Sequence, residues 1–336
     1  MKAAEPQARL PAVSDTAAEQ GPLPQPPVIR ERAPSKPPRV WPALLLLTGV
    51  IPAVLLVSGA VALAAYFVAF MGGDSNASDS KSLELWLDSI LPTPTGLFVV
   101  LLPIQVTLLI LAVGPALLSR LGWRRRLALE APRAGLVVHL AALLGTLGLS
   151  YVSEALVVAL FDEPSDSLEL VSRLLFEPEG AYGASVIVIG GLAPGLCEEL
   201  FFRGYVQSRL VQRFGAWLGI AAPGVMFAAL HFDPQHMLGV LLPGLWFGFV
   251  AWRTGSTWTS VLCHALNNIG LGLAVRVYGE DSADPYELSL SHLTFGAAGL
   301  LVAGAAMRTI LRRTPAGDAG ARPLSSAALG EREAGP

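Results

Sequence analysis

Charge is what this chain has least of. Only 15% of its 336 residues are Asp, Glu, Lys or Arg, against roughly 25% in soluble domains. Hydrophobic residues make up 53%. That shortfall, together with long uncharged runs, excludes an ordinary water-soluble fold and points to a bilayer. A net charge of -3 offers no basic surface for nucleic acid, so no nucleic-acid partner is expected. Cysteine is scarce too. Cys197 and Cys263 both fall in apolar runs, which makes no disulfide framework and leaves the redox compartment open. Residues 1–40 show neither the short apolar core nor the small-residue cleavage site of a secretory signal. That stretch is rich in Pro and Ala with a basic end at Arg30, Arg32, Lys36 and Arg39. It reads as a disordered cytoplasmic tail, and residues 314–336 read the same way.

What is present is a succession of apolar segments, at about 41–71, 96–119, 134–160, 181–202, 215–232, 237–252, 256–276 and 291–310. A helix needs about 20 apolar residues to cross the hydrocarbon core. The first three and the last meet this easily. The fifth and sixth are short and contain Pro223-Gly224 and Pro243-Gly244, so they are open to being thinned, kinked or re-entrant. The expected fold is all-α: a polytopic membrane bundle of about eight helices over 41–313, between the two tails. The connections alternate in sign. Arg120, Arg124, Arg125, Arg126 and Arg133 lie between the second and third segments; Asp162, Glu163, Asp166 and Glu169 follow the third; Arg203, Arg209 and Arg213 follow the fourth; Glu280, Asp281 and Asp284 follow the seventh. Lys and Arg collect on the cytoplasmic side, which places both termini there. The Ala-, Gly-, Pro- and Arg-rich composition suits a bacterial plasma membrane. Ser82–Leu91 and Ser167–Phe176 look amphipathic and suited to the interface.

Ionisable groups inside a span are expensive and mark function by default. Here they are few. The fourth segment carries Glu198, Glu199 and Arg203, the fifth ends with Phe227 and His231, and the seventh carries His264 and Asn268. Glu199 and Arg203 stand four residues apart, share a helical face and can pair. Glu198 points about 100° away and lacks that partner, so it is the better candidate base. Phe227 with His231, and His264 with Asn268, likewise share faces. A carboxylate and two imidazoles can work in two ways. Glu198, His231 and His264 could hold Zn2+ or another divalent metal with an open water position. Alternatively, a desolvated Glu198 could act without metal as general base, with Asn268 donating to the oxyanion. The residues leave both open. Asn267 and Glu199 are candidate supporting groups, whereas His139, Glu154, His236 and His292 look peripheral. Pro194-Gly195, just before the glutamates, is a candidate break in the helix.

Depth raises a difficulty. Hydropathy alone puts Glu198 near one end of its span and His231 near the opposite side of the membrane. They meet only if the fourth helix runs on to about Arg213, placing Glu198 roughly 22 Å and His231 roughly 25 Å from the basic end. His264 then still looks shallower, unless its helix starts before Gly255.

Glu198-Glu199-x-x-x-Arg203, Phe227-x-x-x-His231 and His264-x-x-x-Asn268 resemble, in order and in placement on separate spans, the three motifs of the CPBP family. That family contains the type II CaaX prenyl endopeptidases and the bacterial Abi proteins. The resemblance covers about 181–276. It implies an intramembrane endopeptidase acting on a prenylated protein, a lipoprotein or a small membrane or secreted peptide. Within it, Glu198 activates water, His231 helps position the water, and His264 and Asn268 stabilise the oxyanion. Members are labelled metalloproteases, yet a metal-free glutamate mechanism is also argued for them. Other protease signatures are missing: there is no H-E-x-x-H and no G-x-G-D, and Ser185 lies far from the motif residues. A transporter or proton relay would use the same carboxylates, but no convincing internal repeat supports one. A catalytically dead scaffold would have degraded motifs, and these are intact.

The charge alternation makes a topological prediction. Reporter fusions after Arg126 and after Asp284 should report opposite sides of the membrane; signals from the same side would overturn the orientation.

Overall fold

The computed structural model describes residues 39–79, 83–90, 93–119, 122–176, 178–278 and 290–314, all within the unit Pro37–Pro336. The two expected tails lie almost wholly outside the described residues. No strand occurs among those described, and the chain is an all-α polytopic bundle. Seven helices are long and apolar enough to cross a membrane: α1 (Trp41–Met71), α2 (Pro94–Leu117), α3 (Leu136–Leu160), α4 (Gly180–Phe214), α6 (Pro234–Thr254), α7 (Thr257–Val277) and α8 (Leu290–Arg313). Between α4 and α6 lies the shorter apolar helix α5 (Ala216–Ala229). The two amphipathic connections are helical, at Leu83–Ile90 and Asp166–Phe176.

Two of the expected segments change length. The fourth does not end at 202 but continues to Phe214, 35 residues in all. The fifth shrinks to 14 residues, roughly 21 Å of helix, too short to span alone. The boundary falls where it does because Gly215, at φ +82, takes a backbone conformation that L side chains rarely adopt, and turns the chain back on itself. The sixth begins earlier than expected. Asp233 caps it, accepting from the His236 N–H at 2.7 Å, and Pro234 fits the first turn. At 21 residues it is long enough to cross. Gly255, left-handed at φ +66, ends it.

Pro194 does not break α4. The irregularity comes six residues later, where Leu200–Gln207 forms a π-helical stretch. Such stretches are rare and frequently accompany functional sites. This stretch is wholly buried and carries Arg203. Around it lies an apolar core of Leu200, Phe201, Phe202, Tyr205 and Val206 with residues of α1, α2 and α5.

Small residues allow the helices to approach. Gly195 of α4 lies so near α7 that a Cβ on it would stand 2.8 Å from the Ala265 backbone nitrogen. On the other side of the bundle α3 packs along α8, and a Cβ on Gly148 would sit 2.6 Å from the Gly299 carbonyl oxygen. In a bilayer, where burial of apolar surface supplies little drive between helices, this kind of packing holds spans together. One end of the bundle is closed by backbone bonds: Thr257 N–H to Ala128 O at 2.9 Å and Arg133 N–H to Thr254 O at 3.1 Å. The Ser256 hydroxyl donates to Glu130 O at 2.7 Å.

The glycine contacts predict an asymmetry. Gly148→Ala should destabilise the purified protein by roughly 1–3 kcal/mol through overpacking against backbone. Gly49→Ala, where a Cβ meets nothing within 4 Å, should stay within about 0.5 kcal/mol of wild type. Thermal unfolding in detergent checks both; equal effects would show that the α3–α8 contact does not depend on the missing side chain.

Candidate active site

Glu199 is the hub. Its side chain is fully buried, and its Oε1 accepts from Arg203 Nη1 at 2.9 Å and faces His264 Nδ1 at 3.1 Å. The expected pair between Glu199 and Arg203 is therefore present, and it reaches further than expected. Arg203 Nη2 donates to the Gly244 carbonyl of α6 at 2.5 Å. Its guanidinium lies 4.8 Å from the Phe227 ring centroid. One turn on, Gln207 Nε2 donates to Gly248 O at 2.8 Å. These carbonyls are reachable because Gly244 and Gly248 lack side chains: a Cβ would stand 2.7 Å from Phe227 Cδ1 at the first and 2.7 Å from Gln207 Oε1 at the second.

His264 is buried and fixed on three sides. An ionised Glu199 can only accept, so Nδ1 is the donor and Nε2 is left for another partner. The imidazole stacks on Phe247 with ring centroids 4.9 Å apart and meets Phe227 edge-on at 5.6 Å. The difficulty over its depth is resolved without lengthening α7, which starts at Thr257. Thr257 Oγ1 donates to Leu127 O at 2.8 Å, and a Cβ on Gly204 would lie 2.8 Å from that same oxygen. Gly204 is thus level with the start of α7, and the last turns of α4 run past it.

Glu198 sits differently. It is only half-buried, whereas its neighbour Glu199 is closed off. Its Oε1 accepts from Gln105 Nε2 of α2 at 3.0 Å. His231 follows the end of α5; its Nδ1 faces Phe227 O at 3.1 Å, and its ring meets Phe227 edge-on at 5.4 Å. Glu198 and His231 each lie within electrostatic range of both His264 and His236. Asn268, one turn beyond His264, is half-buried and has no hydrogen bond among the described residues. Asn267 faces another way, accepting from Ser150 at 2.7 Å.

Two residues of this cluster escaped the sequence reading. His236, expected to be peripheral, has its ring 4.3 Å from that of His231. The tight turn brings it there: Phe232 takes a left-handed backbone at φ +55, and Asp233 caps the next helix. Gln105 was passed over as uncharged, although a lone amide in an apolar run was the available signal. Ser185 bonds its own helix at Tyr182 O, and His139 faces Gly135 O through Nδ1 and Thr259 Oγ1 of α7 through Nε2, at 3.5 Å. Both cysteines are buried free thiols.

The residues do not fit a metal as they are placed. No group of three His, Cys, Asp or Glu side chains among those described is gathered as a ligand set. Glu198, His231 and His264, the trio considered from sequence, each keep an atom free beside their bonds to Gln105, Phe227 O and Glu199, but the three are not drawn together as ligands.

The described residues thus form an all-α bundle with a buried carboxylate–arginine–histidine network and a second, half-buried glutamate beside it. Residues 181–270 match the model of the family described as Type II CAAX prenyl endopeptidase Rce1-like. The match covers 90 of the 336 residues, and over that stretch the chain is similar to the CAAX-type intramembrane proteases of that family. No curated protein and no solved structure matches the chain.

The hub makes a stability prediction. Glu199→Gln leaves Arg203 buried without its counter-charge, which should destabilise by about 3–5 kcal/mol. Thermal unfolding of the purified variant measures it; unfolding at the wild-type temperature would contradict the role given to Glu199.

Proposed function

We propose that this chain is an endopeptidase that hydrolyses a peptide bond within the membrane by glutamate-activated water, with Glu198 as the base. The supporting observation is the division between the two adjacent carboxylates. Glu199 is sealed in an ion pair that holds His264, whereas Glu198 is partly open and held by a single amide. A general base must reach water and must not be neutralised by a permanent cation.

In this mechanism Glu198 takes a proton from a water molecule, and the hydroxide formed attacks the carbonyl carbon of the scissile bond. His231, held through Nδ1 at Phe227 O, orients the water. Charge developing on the carbonyl oxygen is met by the free amide of Asn268 and, with His264 carrying a proton on both ring nitrogens, by its Nε2–H; the ring is fixed before substrate arrives. Such preorganised donors commonly account for a factor of 10²–10³ each. As the C–N bond breaks, Glu198 returns its proton to the leaving amine. Glu199, Arg203 and Phe227 touch no reacting atom; they position His264 and His231. The substrate is a membrane-associated peptide, of the prenylated CaaX type or a small membrane or secreted peptide.

The test is cleavage by purified Glu198→Gln. It should lose at least a factor of about 10² in turnover while unfolding within a few degrees of wild type, since an amide is cheaper to bury than a carboxylate. Full cleavage by that variant would contradict the assignment. Comparing membrane peptides from cells carrying wild type or the variant would show which substrate accumulates.

A further inference from the structure

A second cluster of charge lies outside the site and has no part in the chemistry. Arg209, in the turn of α4 after the π-helical stretch, is 1% exposed. Its guanidinium lies over the Tyr205 ring, 3.5 Å from the centroid, and Nη1 donates to Tyr205 O. Nε and Nη2 have no hydrogen-bond partner. Arg126, half-buried on the short helix Trp123–Arg126, donates to the Tyr205 hydroxyl and is within electrostatic range of Arg209. Its Nε is also unpartnered. Two guanidiniums are therefore held against one phenol with no carboxylate bonded to either among the described residues. Glu130, which is nearby in sequence, pairs instead with the exposed Arg125 at 3.2 Å. Buried unpaired charge is strongly unfavourable, so this arrangement calls for an anion.

The surroundings indicate which anion. Arg124, Arg125 and Arg213 are exposed at this end of the bundle. Beside them the apolar side chains Trp123, Phe214 and Trp217 stand out from the protein, Trp217 at 91% exposure. Exposed tryptophans mark the headgroup level of a bilayer, and arginine groups there recognise phosphate through paired N–H donors. We infer that Arg126 and Arg209, over Tyr205, form a binding site for the headgroup phosphate of an anionic phospholipid. Arg126 makes the first contact at the headgroup level, and Arg209 supplies the deeper donors.

The test uses the full chain reconstituted in nanodiscs of phosphatidylcholine alone or with phosphatidylglycerol, together with a phosphatidylcholine arm containing inorganic phosphate. Phosphatidylglycerol should raise the wild-type unfolding temperature by roughly 5 °C. It should leave Arg126→Gln unmoved. Arg209→Lys keeps the charge but loses the fork, and should lose most of the rise. The proposal is overturned if Arg126→Gln and Arg209→Lys respond as fully as wild type, if phosphatidylglycerol has no effect, or if inorganic phosphate alone gives the same rise. Should Arg209→Lys fail to fold, Arg126→Gln decides by itself.

Discussion

The ion pair between Glu199 and Arg203 is the constraint on which the rest depends. Both side chains are removed from water, and a carboxylate and a guanidinium so placed are tolerable only with near-ideal geometry and further hydrogen bonds. Each further bond ties in another helix. Through Glu199 the pair holds His264 on α7; through Arg203 it holds the Gly244 carbonyl on α6 and lies against Phe227 on α5. Four helices are thus registered around one charge pair. Phe227 in turn holds His231, because its carbonyl oxygen takes the imidazole Nδ1. The glycines of α6 serve the same end, since a Cβ at Gly244 would run into Phe227 and one at Gly248 into Gln207.

This accounts for the unequal treatment of two identical neighbours in the sequence. A helix turns by about 100° per residue, so adjacent side chains must face different surroundings. One glutamate is spent on architecture, and the other is left facing α2 and the histidines. The π-helical stretch begins directly after Glu199 and carries its partner Arg203. It places Arg203 and Gln207 on successive rungs against Gly244 and Gly248.

Much of this was legible in the sequence, for identifiable reasons. The spans follow from hydropathy, and the pairing of Glu199 with Arg203 from four-residue spacing. The continuation of α4 to Phe214 followed from requiring Glu198 and His231 to meet. What could not be read depends on turns and on neighbours distant in the chain. His236 looked like part of an external turn; a left-handed residue at Phe232 folds it back onto His231. Gln105 lies 93 residues from Glu198, and no periodicity links them. Hydropathy does not report a π-helical stretch, which shows only in the backbone around Arg203. The expected break at Pro194 was a plausible reading of a Pro-Gly pair, but the helix runs on through it, with Gly195 packed close on Ala265.

The central claim is that Glu198 is the reachable carboxylate and Glu199 the locked one. The most direct measurement is labelling of the folded protein in membranes with a hydrophobic carbodiimide, followed by mapping of the modified peptide. The account predicts an adduct on Glu198 that abolishes cleavage, with Glu199 unmodified until the protein is unfolded. An adduct on Glu199 in the folded protein, with Glu198 untouched, would contradict it.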